Sequence, residues 1–128
     1  TNGVTMLSTF SQMPDGSEIE DPRKWVEQLH TNMETLAFSA GLPETSLKRT
    51  DRFQSIKVQS RLQDIHAIIE RISPWFDYSK ERSWLWFRST PIPAFDNKSA
   101  SEVLREFGSQ GLIAISDYIS MKEAGGFE

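Results

Sequence analysis

The sequence predicts an all-α protein, with a helix-turn-helix-like bundle continuous with a small C-terminal helical unit. Three observations carry that prediction. Apolar residues recur at helical spacing, most plainly Val58, Leu62, Ile65, Ile69 and Ile72, with Ile68 beside them. Helix starts and stops are spelled out by Asp21-Pro22, Gly41, Ser99 with Glu102, and Gly108. No stretch sustains the period-two alternation of a half-buried strand, and no internal repeat is present. With 128 residues, 38% of them hydrophobic, the chain can bury one real core. It divides into an acidic arm over 1–20, a helix-turn-helix-like unit over 21–73 and a C-terminal unit over 74–128.

The arm scatters Val4, Met6, Leu7, Phe10 and Met13 among polar residues and ends in the turn composition Pro14-Asp15-Gly16-Ser17, so it is expected to be flexible unless it docks. Asp21 can cap free amides and Pro22 suits a first helical position, which starts a helix over about 22–30 with Trp25, Val26 and Leu29 as its apolar stripe. Thr31 and Glu34 have the spacing of a capping box for a second helix running to Ala40, where Gly41 supplies a left-handed stop. Leu42-Pro43 opens a short third helix to about Thr50. The long amphipathic helix follows from Phe53 and closes at Ser73-Pro74. A further helix from near Ser79 carries Trp84-Leu85-Trp86-Phe87, four neighbours that no single helix face can bury. The sequence reads Trp84 and Leu85 as core, with Trp86 to Phe95 as the edge of an interface. Thr90 to Phe95 forms a loop stiffened by Pro91 and Pro93. Ser99 and Glu102 cap a helix over 100–107, Gly108 stops it, and Leu112, Ile115, Tyr118 and Ile119 stripe the last helix.

Composition removes several function classes. Cysteine is absent, which excludes disulfides, thiolate zinc sites and cysteine nucleophiles and fits a cytoplasmic location. His30 and His66 lie in helical patterns without a carboxylate or second histidine at ligand spacing, so they read as partly buried or surface imidazoles, and no metal is expected. The carboxylate pairs Glu44 with Asp51 and Asp64 with Glu70 lack a pocket to shift their pKa, and no serine sits in a recognisable order with a histidine; an enzyme is not expected. No apolar run approaches a membrane span and no signal-peptide pattern is present, so no membrane partner is expected. Thr1 in place of Met is expected to reflect processing or trimming. The net charge of -4 belongs to residues 1–21, where Asp15, Glu18, Glu20 and Asp21 meet no Lys or Arg. The remaining 14 basic and 14 acidic groups cancel, so only a local basic face bears on nucleic acid.

Leu36, Ala37, Ala40, Gly41, Leu42 and Leu47 sit where a helix-turn-helix needs them, with a small residue at the crossing and glycine at the turn. A DNA-binding reading puts Thr45, Ser46, Lys48 and Arg49 on the outer face of a recognition helix, with Arg52, Lys57 and Arg61 also available to phosphates. Five basic and two acidic residues over 43–61 give a modest +3, so operator binding would need a dimer or complex. A helix-turn-helix kept only as scaffold explains the same residues equally well.

The segment Trp84 to Glu128 holds many large apolar groups and few acids, bases or nucleophiles, which points to a surface that another protein covers. Trp84-Leu85, Pro91-Ile92-Pro93-Ala94-Phe95, Ser101-Glu102-Val103-Leu104 and the terminal Gly125-Gly126 resemble, in order and spacing, the toxin-binding domain of the MbcA/ParS/Xre antitoxins. Leu36-Ala37 to Gly41-Leu42 and the helix around Arg61-Leu62 resemble that family's helix-turn-helix. The resemblance spans about residues 22–128 and is nearest to ParS. Where the family commonly has a glycine pair or Gly-x-x-Pro, this chain has Phe95-Asp96-Asn97-Lys98-Ser99-Ala100, with Asn97 able to take a left-handed backbone.

The resemblance implies an antitoxin without a cofactor of its own. It would hold a RES-type, ADP-ribosyltransferase-like toxin that uses NAD, as a toxin-antitoxin heterotetramer or with the antitoxin as a homodimer, and repress its own operon. On this reading the toxin meets Trp86, Phe87, Pro91, Ile92, Pro93, Phe95, Tyr118 and Lys122. The tail plugs the NAD cleft: Gly125-Gly126 enters as thin backbone, Phe127 fills an apolar pocket, and Glu128 with the terminal carboxylate meets cationic groups. The alternative is a helix-turn-helix transcription regulator whose C-terminal half is a dimerisation module, with no toxin partner.

Overall fold

A computed structural model of the chain describes residues 7–125. Among these residues the fold is all-α, preceded by one small hairpin. Strands β1 (Phe10–Gln12) and β2 (Glu18–Glu20) pair antiparallel with Ser11 opposite Ile19. Asp15 holds the turn between them, accepting from the Ser17 amide at 3.0 Å and the Ser17 hydroxyl at 2.7 Å. For residues 7–20 the choice between a flexible and a docked arm falls on docking. Leu7 and Thr9 are buried, the Leu7 amide donates to Glu70 Oε2 at 2.7 Å, and Gln59 brackets the Glu20 backbone through both its amide atoms. Three-residue strands are too short for alternation to reveal.

Helix α1 (Pro22–Leu29) begins as expected, with Asp21 accepting from the Arg23 amide at 3.0 Å. Helix α2 (Met33–Ala40) does not use the Thr31–Glu34 box. Asn32 is its N-cap and accepts from the Thr35 amide at 2.8 Å, because asparagine caps as well as threonine and stands one residue nearer the apolar face. Gly41 ends α2 in the left-handed region, φ 70 and ψ 34, as expected. The single short helix expected to Thr50 is instead two turns, α3 (Thr45–Lys48) and α4 (Thr50–Phe53), broken at extended Arg49. Leu47 and Phe53 are both fully buried, yet six residues along a continuous helix would set them about 120° apart. The break turns both inward, and Phe53 therefore belongs to α4 rather than to the long helix.

That long helix, α5 (Ile56–Ile72), is central: Val58, Leu62, Ile65, Ile68, Ile69 and Ile72 are buried, and it touches α2, α6 and α7. A single 3-10 turn, Ser73–Phe76, leads to α6 (Lys80–Ser89), capped by Ser79. Here the expected roles of two neighbours exchange. Leu85, read as core, is 51% exposed, whereas Trp86, read as interface, is buried. Trp75 from the 3-10 turn covers Trp86 edge-on, with ring centroids 5.5 Å apart, while Trp84 stacks on Phe87 and meets Trp25 edge-on.

Helix α7 (Ala100–Glu123) starts with the expected capping box: the Ser99 amide donates to Glu102 Oε1 at 2.9 Å and the Glu102 amide to Ser99 Oγ at 3.1 Å. Gly108, at φ 58 and ψ -130, breaks it as expected. Beyond the break the chain returns so closely that a Cβ on Gly111 would strike the Val103 carbonyl oxygen. A single hydrophobic core takes Leu36, Leu47 and Leu62 from the first half and Phe87, Leu104 and Ile115 from the second, so the two halves are continuous.

Candidate docking surface

The loop after α6 folds on itself around Ile92. The Ile92 amide donates to the Lys98 carbonyl at 3.0 Å, and its own carbonyl accepts from Phe95 at 2.8 Å and from Asn97 at 3.0 Å. Closing so short a loop uses two left-handed residues that carry side chains, Asp96 at φ 60 and Asn97 at φ 65. The 3-10 turn Pro93–Phe95 then presses Phe95 against Tyr118 of α7, with centroids 5.6 Å apart.

That aromatic pair stands between two recesses. One, of about 360 Å³, is lined by Phe95, Val103, Phe107, Gly111 and Ala114, with Asp96, Lys98 and Gln110. The other, of about 270 Å³, is lined by Pro93, Ala94, Tyr118, Met121 and Lys122. Phe107 is 53% and Met121 47% exposed. Gly111, Ala114, Tyr118 and Met121 recur at three, four and three residues, so one stripe of α7 makes a continuous apolar strip with a charged margin.

The structure divides the expected partner-binding residues. Phe95, Tyr118 and Lys122 converge on the strip, and Pro91 and Pro93 are exposed beside it. Trp86, Phe87 and Ile92 are buried and offer no surface to a partner, which corrects their expected placement at an interface: Trp75, Trp84 and the closed loop take their contacts. Gly125 is exposed at the end of α7, and the plug residues Gly126, Phe127 and Glu128 lie outside the described residues. Sequence reading missed Phe107, Gly111, Ala114 and Met121. Their signal was a second helical stripe on α7, overshadowed by the stronger one through Leu112, Ile115 and Ile119.

Of the residues expected to meet DNA, Thr45, Lys48, Arg49, Arg52 and Lys57 are exposed and Ser46 is half-buried. The expected recognition helix is one turn long, with Lys48 paired to Glu44 at 3.1 Å and Arg49 to Asp51 at 3.2 Å. The hydrogen bond from Arg49 holds the Asp51 carboxyl below the ordinary carboxylate value. Such exposed pairs are weak and exchange readily for phosphate, but a four-residue turn offers little length to a major groove.

A second constellation escaped the sequence reading. His66 has carboxylates on two sides, Glu70 four residues on at 3.6 Å and Glu20 from β2 at 2.9 Å, contrary to the expectation that no carboxylate stood at ligand spacing. Glu20 also accepts from Trp25 Nε1 at 2.8 Å and from the Thr9 hydroxyl at 2.6 Å. Burial pushes the imidazole pKa down, but Glu20 and Glu70 outweigh it and the value is raised above 6.5. Among the described residues no group of three or more ligating side chains is arranged to hold a metal, and no helix is long and apolar enough to cross a membrane. No family model, curated protein or solved structure matches the chain.

Proposed function

We propose that the chain is an antitoxin that neutralises a RES-type, ADP-ribosyltransferase-like toxin by covering its NAD cleft with the C-terminal strip, in the cytoplasm and without a cofactor of its own. The observation that carries this reading is the apolar strip along α7 and the Pro93–Phe95 turn. A contiguous exposed apolar surface with a polar margin favours a protein partner over a small substrate. The resemblance of the Trp84 to Gly126 segment to antitoxins names the kind of partner. Phe107 and Met121 are the anchors expected to lose most water on docking, and Lys98 and Lys122 stand at the margin.

Co-expression with the product of the adjacent gene tests the proposal. The toxin should co-purify, and its NAD consumption should stop in the complex. The double variant Phe107→Asp, Met121→Asp should release that consumption while keeping the helical circular dichroism of the parent. Full inhibition by the double variant would remove the strip from the mechanism. A lone homodimer that binds operator DNA with a steep salt dependence, and no toxic neighbour, would establish the transcription regulator instead, with α7 as its dimer face and the exposed Lys48, Arg49, Arg52 and Lys57 as its phosphate contacts.

A further inference from the structure

A recess of about 400 Å³ away from the apolar strip is lined by Thr35, Phe38, Arg88, Ser101 and Arg105, contributed by α2, α6 and α7. Two cations share it, and neither forms a close ion pair among the described residues, Glu102 acting on Arg105 only from a greater distance on the same helix. The arginines that form ion pairs are Arg23, Arg49 and Arg71, all elsewhere. Arg88 Nε is buried with no hydrogen-bond acceptor, although its guanidinium lies 5.7 Å from the centroid of the Trp84 ring. Nε is closed off from solvent, so it is the terminal nitrogens of Arg88 that a ligand in the recess can reach.

Arg105 is held ready from three sides. Its guanidinium lies 4.2 Å from the centroid of the Phe38 ring, and its Nε donates to Ser101 Oγ at 3.2 Å. Ser101 in turn donates to the Ser39 carbonyl at 2.6 Å, which fixes the hydroxyl's orientation. The stem of Arg105 runs against Gly41, where an added Cβ would come within 3.1 Å of its Cγ. These contacts use the stem, one face and Nε of Arg105, and leave its two terminal nitrogens for another acceptor.

We infer that this recess binds a small oxyanion, either inorganic phosphate or the phosphate group of a monoester, between Arg88 and Arg105. The two guanidiniums come from different helices, so a tetrahedral ion with several acceptor oxygens meets both, whereas the two oxygens of a carboxylate are filled by one guanidinium fork. The Thr35 hydroxyl adds a donor. Glu34 lines the recess and Glu102 acts on Arg105 from three residues away, but both are exposed and screened by water, so the two guanidiniums remain the main charges facing the recess. The space beside the ion accommodates the organic part of a monoester. The inference is independent of the antitoxin reading, since it concerns a different face and a different ligand.

Titration of the ¹⁵N-labelled full chain with inorganic phosphate, read at the arginine Nε–H resonances, tests it. Arg88 and Arg105 should shift and saturate with a dissociation constant of about 1 mM or tighter. Arg88→Gln and Arg105→Gln should each weaken binding roughly tenfold, whereas Lys24→Gln, exposed on α1, should leave it unchanged. Tighter binding of phenyl phosphate than of phosphate would support the monoester, and equal or weaker binding the free ion. If a variant fails to fold, the parent's resonances decide alone. No saturable shift, the same shift with chloride at matched ionic strength, or tighter binding of acetate than of phosphate would overturn the inference.

Discussion

His66 Nδ1 lies 2.9 Å from Oε2 of Glu20, a carboxylate only 1% exposed, and this pair joins the N-terminal hairpin to the central helix α5. Around it Thr9, Trp25 and Glu70 complete a polar cluster inside an otherwise apolar fold. Removing either member therefore disturbs more than one contact.

The cluster makes stability depend on pH in a stated direction. The folded pKa of His66 is raised above the ordinary 6.5, so its contribution is fully present below that value and is lost as pH rises through the folded pKa. Urea unfolding should show the midpoint falling from neutral to alkaline pH. His66→Gln should flatten the fall, and an unchanged slope in the variant would assign it to other groups.

Glu20→Gln should cost about 3 kcal/mol, because it leaves a half-buried imidazolium with one carboxylate fewer and disturbs the acceptor of Trp25 Nε1. Hydrogen exchange should locate the loss, with the amides of Leu7 and Asp21 losing protection before those of Ile65 and Ile69.

Two glycines of α7 should fail to alanine for different reasons. Gly111→Ala places a Cβ into the Val103 carbonyl and should cost about 2 kcal/mol by overpacking. Gly108→Ala meets no neighbour, but a side chain at φ 58 and ψ -130 is strained by about 1–3 kcal/mol. Thermal melts of both variants would show the two losses. Val103→Ala removes only the side-chain contact and leaves the carbonyl in place, so most of the first cost should persist in that background and the second should be unchanged.

Phe107→Ala and Met121→Ala should leave unfolding free energy within about 0.5 kcal/mol, because both side chains are half exposed. Each should weaken binding to the partner by more than about 1 kcal/mol if the strip is the docking surface. Calorimetric titration of the purified partner reads this directly, and parent-like affinity in both variants would place the contact elsewhere.

The sequence by itself determined the features that depend on neighbouring residues. The Asp21 cap, the Ser99–Glu102 box, the stops at Gly41 and Gly108 and the left-handed Asn97 all stand where local chemistry puts them, because a cap or a turn is satisfied within four or five residues. Tertiary structure decided which of two adequate candidates each long-range contact would use. Leu85 and Trp86 are equally apolar to a sequence reading, and the cover from Trp75 chose Trp86 for the core. Helix α7 carries two apolar stripes at the same period, and the fold-back at Gly108 against Val103 decided which is buried and which forms the strip. Glu20 and His66 stand 46 positions apart, and only the docked hairpin brings them together. Burial is a property of the partner surface as much as of the residue, and that partner comes from another part of the chain.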